Sequence, residues 1–130
     1  MQPFTDLKVW QRSHALVLEL YRLSAAFPDT ERFGLTSQLR RAATSAPSNI
    51  AEGSRRRSPR DFARFLDMAA GSLAETRSLL MLARDLGYAP AGAVERALGE
   101  ADEISRMLNA FAARLDEEQQ RPRREPPDPD

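Results

Sequence analysis

The chain has no cysteine. That excludes disulfides, thiolate metal sites and a thiol nucleophile, and it fits a cytoplasmic location. Histidine is almost as scarce: His14 is alone, and one imidazole without thiolates cannot build an ordinary zinc site. A histidine held in the core or at an interface by one hydrogen bond is its plainer role. No nucleophile stands beside a candidate base, and the carboxylates do not fall into the Glu-x-x-His spacing of di-iron bundles. Gly71 and Gly99 are isolated and form no phosphate-cradling loop. The expectation is therefore no catalytic residue, no metal, no cofactor and no enzyme activity. β-Branched residues are few, with three valines, two isoleucines and five threonines. The longest charge-free run, Ala42 to Ala51, falls far short of the roughly 20 apolar residues that a membrane span needs. Met1 to Trp10 lacks the apolar centre of a secretory signal and contains Asp6. A soluble, cytoplasmic protein with no membrane partner is expected.

What remains is a helix-former's composition, rich in alanine, leucine, arginine and glutamate, in 130 residues, a length suited to one domain. Hydrophobic periodicity predicts four helices. The first runs from about Thr5 to Phe27, with two adjacent stripes: Leu7, Trp10, Val17, Tyr21 and Ser24, then Val9, Leu16, Leu20, Leu23 and Phe27. Pro28-Asp29 ends it. The second runs from about Gly34 to Arg55, with Leu35, Leu39, Ala42, Ala46, Ile50 and Gly53 at steps of three and four. Pro47 should kink it by removing an amide donor. The third opens on Ser58 as N-cap, Pro59 at the first helical position and Asp61 three residues after the cap, and Gly87 closes it. The fourth starts loosely near Pro90 and carries a seam of Val94, Ala97, Ala101, Ile104, Leu108, Phe111 and Leu115. Short loops between long amphipathic helices predict an all-α, up-down-up-down four-helix bundle over residues 1–116. Residues 117–130, ending in RPRREPPDPD, read as a disordered tail. The wide apolar faces of the first and fourth helices predict self-association.

The charge is neutral only in sum: 19 basic residues oppose 19 acidic ones. From Arg32 to Arg64 there are eight arginines against Glu52 and Asp61, a local charge of +6, which leaves −6 for the remainder. Lys8 is the lone lysine. Arginine grips phosphate and carboxylate bidentately, although a GC-rich genome accounts for the same bias. Arg40, Arg41, Arg55, Arg56, Arg57 and Arg60 are the candidate nucleic-acid contacts, presented from the second helix and the turn into the third. Aromatic residues are not interleaved with them, so phosphate contact without base stacking or sequence readout is the expected form. The competing arrangement pairs these arginines with Glu95, Glu100, Asp102 and Glu103 of a neighbouring helix or subunit. Ser45, Pro47, Asn49 and Glu52 form a second group. They read as the repair of a broken helix, with Asn49 and Glu52 serving freed backbone groups; a ligand pocket is the alternative.

The segments FTDLKVWQRSHALV, FGLTSQLRRAATSAPSNIAEG, RRSPRDFARFLDMAAGSLAE and ARDLGY together resemble the bacterial four-helix bundle proteins encoded in intervening sequences of 23S ribosomal RNA genes. The resemblance covers roughly Phe4 to Leu115. It implies a subunit that assembles into a cyclic homo-oligomer, often a pentamer, with no associated enzyme activity. A related branch, the accessory variability proteins of diversity-generating retroelements, binds nucleic acid and a reverse transcriptase through a basic surface. Matched to this chain, that surface would include Arg40, Arg41, Arg56 and Arg57. The expected function is a non-enzymatic protein associated with nucleic acid, structured RNA in the first place, through phosphate contacts. The alternative is an oligomeric scaffold for another protein, without a nucleic-acid role.

Overall fold

The computed structural model describes residues 3–121. Helices α1 (Lys8–Ser24), α2 (Leu35–Gly53), α3 (Pro59–Asp85) and α4 (Ala91–Gln120) follow in order, with 3-10 turns at Phe4–Asp6 and Asp29–Glu31. No strand occurs among the described residues. Each helix packs against two others: α1 on α2 and α4, and α3 on α2 and α4. The contacts fix the directions. Ser45 meets Ser72, and Gly53 meets Phe65, so α2 and α3 are antiparallel. Arg84 meets Glu95, and Phe62 meets Phe111, so α3 and α4 are too. Arg12 reaches Glu100, while Leu7 and Val9 lie beside Phe111, so α4 runs back along α1.

Local chemistry accounts for the boundaries. The Ser58 hydroxyl accepts a hydrogen bond from the Asp61 amide at 3.1 Å, with Pro59 in the first turn; this satisfies an amide that has no intrahelical acceptor. Gly87, at φ 76°, ends α3 in the left-handed conformation that glycine adopts without a Cβ penalty. Helix α4 has no side-chain cap at its start, as its sequence implies. It ends later than expected, however. Residues 117–120 are helical, because glutamate and glutamine are good helix formers even without an apolar anchor. Residues 122–130 of the expected tail lie outside the described residues.

The core is a continuous set of small and branched apolar side chains. Leu20, Leu39, Ile50, Leu66, Leu80, Ile104 and Leu108 are fully buried. The α4 seam is buried inside the bundle except at Phe111, which is only partly covered, since α4 faces both α1 and α3. The exposed large apolar side chains among the described residues are Leu18 and Tyr21 on α1, Phe33 in the connection to α2, Met68, Met81 and Leu82 on α3, and Leu86 just after it. An open, mostly apolar groove remains between the start of α1 and the second half of α4, lined by Leu7, Val9, Met107, Ala110 and Phe111. His14 lies outside the core of the subunit: it is exposed and stacks on Trp10, ring centroids 4.8 Å apart.

One ion-pair cluster ties α1 to α4. Arg12 donates from Nε and Nη2 to both oxygens of Glu100, at 2.9 and 2.8 Å, and from Nη1 to Glu103 at 2.9 Å. The Arg12 guanidinium, chiefly through its hydrogen bond, holds the Glu103 carboxyl below its ordinary value. A carboxylate with a depressed folded pKa adds stability above its unfolded pKa, and that stability disappears as pH falls through the folded value. Arg12→Ala should therefore lower the thermal midpoint at about pH 7, with the deficit shrinking below the ordinary carboxylate range of about pH 4. A deficit that stays the same in melts at both pH values would show that Arg12 acts through packing alone.

Candidate nucleic-acid interface

The candidate arginines lie at two separate places, one on α2 and one beyond its end. Arg40 and Arg41 lie in its first half, while Arg55, Arg56 and Arg57 follow its end and Arg60 opens α3. At about 1.5 Å rise per residue, the two groups are roughly 20 Å apart along the helix. The single cluster suggested by the sequence is two sites, because the sequence run follows a rod rather than folding back.

The first site is a groove of about 350 Å³ between α1 and the start of α2. Tyr21, Arg32, Phe33, Arg40 and Arg41 line it, with the hydroxyl-bearing Thr36, Ser37 and Thr44. Arg40 is half-buried and tightly held. Its Nε donates to Ser24 Oγ at 2.9 Å, its Nη2 donates to the Tyr21 carbonyl at 3.3 Å, and its guanidinium lies 4.5 Å from the Tyr21 ring centroid. These partners are neutral, so they fix the side chain without cancelling its charge. Phe33 is 89% exposed, and the Arg32 guanidinium lies 5.4 Å from its ring centroid. Aromatic residues are not interleaved with the candidate arginines in sequence, but the fold brings Tyr21 from another helix to Arg40. Glu31, the nearest acid in sequence, turns to the start of α2, where its Oε1 accepts from the Leu35 amide at 3.4 Å. The Tyr88 hydroxyl is pushed up in pKa by burial first and then by Glu31.

The second site surrounds the α2–α3 turn. Arg56 donates to Glu52 at 2.9 Å and lies 4.6 Å from the Phe65 ring centroid, so its charge is partly answered. Arg55, Arg57 and Arg60 are exposed. Arg57 shares a depression with Glu118 and Gln119, and Arg60 shares one with Asp116 and Gln119, which lowers the local potential at the far end of α4. Among the described residues, no carboxylate lies within 4.0 Å of the guanidinium of Arg32, Arg40, Arg41, Arg55, Arg57 or Arg60.

The α4 acids offered as alternative partners are taken by other residues. Glu100 and Glu103 pair with Arg12, Asp102 with Arg106 and more loosely with Arg77, and Glu95 with Arg84. Sequence reasoning passes over Arg12, Arg77 and Arg84 because none of them lies in the arginine-dense run from Arg32 to Arg64; their spacing relative to the apolar positions is the available signal.

The group around Pro47 is structural in part. Helix α2 runs from Leu35 to Gly53 through Pro47, which is buried. Asn49 Nδ2 donates to the Ser45 carbonyl at 2.9 Å, Ser48 Oγ donates to the Thr44 carbonyl at 2.9 Å, and Ser72 Oγ donates to Ser45 Oγ at 2.9 Å. Glu52 does not belong to this group. It is exposed and turned to Arg56, one helical turn on, where a long charged side chain stays hydrated.

Among the described residues, no three histidine, cysteine, aspartate or glutamate side chains gather as metal ligands. None of the described helices is long and apolar enough to cross a membrane.

No curated relative matches the chain. Its fold is similar to the crystal structure of a protein of unknown function from the S23 ribosomal protein family of Bacteroides thetaiotaomicron. The TM-score is 0.74 at 24% identity, over 80% of this chain and 97% of that one. The sequence profile of the 23S rRNA-intervening sequence proteins matches residues 5–110, which takes in α1 to α3 and most of α4, so the chain belongs to the 23S rRNA-intervening sequence protein family.

Proposed function

We propose that this protein is a non-enzymatic, cytoplasmic helical bundle that associates with structured RNA through arginine contacts to phosphate. The observation that carries the reading is the state of the arginines. Of the six candidates, Arg56 alone has a carboxylate within 4.0 Å among the described residues, while Glu95, Glu100, Asp102 and Glu103 of α4 are occupied by Arg12, Arg77, Arg84 and Arg106. Free guanidinium groups on a water-facing helix bind phosphate oxygens and release counterions.

The test is a gel-shift titration of a labelled RNA hairpin at rising salt. The expected result is binding at about 50 mM salt that weakens linearly in logarithmic plots. Replacing Arg55, Arg56 and Arg57 together by alanine should weaken binding and reduce the salt slope by about 1 for each phosphate no longer neutralised, with the hydrodynamic size unchanged. Absence of binding at low salt would remove the reading.

A second reading, a homo-oligomeric scaffold such as a pentamer that holds a reverse transcriptase or another protein, is favoured by the exposed Met68, Met81, Leu82 and Leu86 on and just after α3. A change of oligomeric state in the triple-alanine variant, with RNA affinity untouched, would move the assignment to that scaffold.

A further inference from the structure

The groove between α1 and α2 differs from the turn site in one respect that bears on what it can hold. It combines cationic groups with an open aromatic face. Phe33 is the most exposed large apolar side chain among the described residues, at 89%. Burial of a phenylalanine ring is normally strongly favourable, so a ring left this open beside charged groups has a surface to offer a ligand. The Arg40 guanidinium is already immobilised on Tyr21 and Ser24. Two of its five N–H donors are used by Ser24 and the Tyr21 carbonyl, which leaves donors for an anion at little further cost in side-chain entropy. Arg41 and Arg32 line the same groove, and no carboxylate does.

We propose that this groove is a subsite for an unpaired nucleotide of an RNA strand. The base stacks on Phe33, and the adjoining phosphate is held by Arg40 with Arg41 or Arg32. The inference rests on the nucleic-acid reading above and adds to it a single-strand preference at one of the two arginine sites. Stacking on an aromatic ring demands a splayed base, which a duplex does not present. Base identity matters little there, because every base has a π-face.

The test uses the whole chain and fluorescence anisotropy with three labelled probes of equal phosphate number: a single-stranded RNA, its fully paired duplex, and a single strand with abasic positions. Phe33→Ala should weaken binding of the single strand by about tenfold or more, leave the duplex unchanged, and bring the single strand down to the abasic probe. Phe33→Tyr should retain binding, since the π-face remains. Adenosine monophosphate should compete with the single strand in the unsubstituted protein more effectively than inorganic phosphate. If Phe33→Ala shifts no probe while the RNAs still bind, the subsite is overturned and the phosphate-contact reading survives. If no probe binds even the unsubstituted protein, both fall. A change in hydrodynamic size on Phe33→Ala, with single-strand affinity intact, would assign the ring to a contact between copies of the chain and also overturn the subsite.

Discussion

Gly53→Val is expected to cost more stability than any surface change in this protein. A Cβ built on Gly53 would stand 2.6 Å from Phe65 Cβ and 3.0 Å from Phe62 Cδ1. The first contact decides the outcome, because a Cβ is fixed to its backbone and cannot swing aside as the end of a flexible side chain can. Relief requires α2 and α3 to move apart, and that opens the packing around Phe65, which is 7% exposed. Two effects compete. Replacing a helical glycine by alanine gains about 1 kcal/mol in helix propensity, whereas overpacking a filled interior costs about 1–3 kcal/mol and occasionally more. For Gly53→Ala the overpacking is expected to win narrowly. For valine, whose β-branching also lowers helix propensity, the loss should reach about 3 kcal/mol or more. Phe62→Ala should not rescue it, since the Phe65 Cβ remains in place. Chemical denaturation of the three variants checks this; a Gly53→Ala protein more stable than the parent would show that the helices yield freely at this point.

The same close approach bears on how much of the site is legible in the sequence. Gly53 recurs in the apolar pattern of the second helix, which places it on the buried face, but nothing in the sequence names Phe65 as the side chain it must accommodate. Local signals are legible for a physical reason: Ser58, Pro59, Asp61 and Gly87 act within a few residues of themselves, so their consequences are written beside them. Partner choice across helices is different. Arg40 and Arg56 look alike in sequence, each on or just past the second helix. One lies against Tyr21 and Ser24, sixteen or more residues away, and the other folds back to Glu52. Nearness in sequence suggests Glu52 for the repair around Pro47, yet the side-chain hydrogen bonds there come from Ser48 and Asn49, and they go to the Thr44 and Ser45 carbonyls rather than to the Ala43 carbonyl that a proline at position 47 leaves without its amide partner. The division of the arginines into two sites follows from the rise of α2, which runs through Pro47 as one helix over nearly the expected span. The end of α4 escapes sequence reasoning for a compositional reason: a run without apolar anchors ends a core contact, but a helix of glutamate and glutamine persists beyond it.

The separation of the two arginine sites leads to the largest functional effect expected. Arg41→Glu and Arg57→Glu change one residue at each site, and both parent side chains are exposed and have no carboxylate within 4.0 Å among the described residues. A unit charge about 4 Å from a phosphate in water is worth about 1 kcal/mol, so reversing its sign should cost about 2 kcal/mol, or roughly 30-fold in affinity. An RNA that spans roughly 20 Å along α2 would touch both sites at once, and the double reversal should then weaken binding roughly 1000-fold at low salt. Neither position is in the core, and neither reversal should shift the thermal midpoint by more than a small surface effect. Salt separates this mechanism from a structural one. At about 1 M the Debye length is about 3 Å, and the gap between the parent and the double variant should close. Two ligands bound independently, one at each site, would instead give a double variant no worse than the weaker single reversal in a titration that follows one probe. Affinity unchanged by either reversal at low salt would mean that the exposed guanidinium groups of α2 and its following turn do not meet phosphate at all, and would leave the exposed methionines and leucines on and just after α3 as the surface through which this bundle acts.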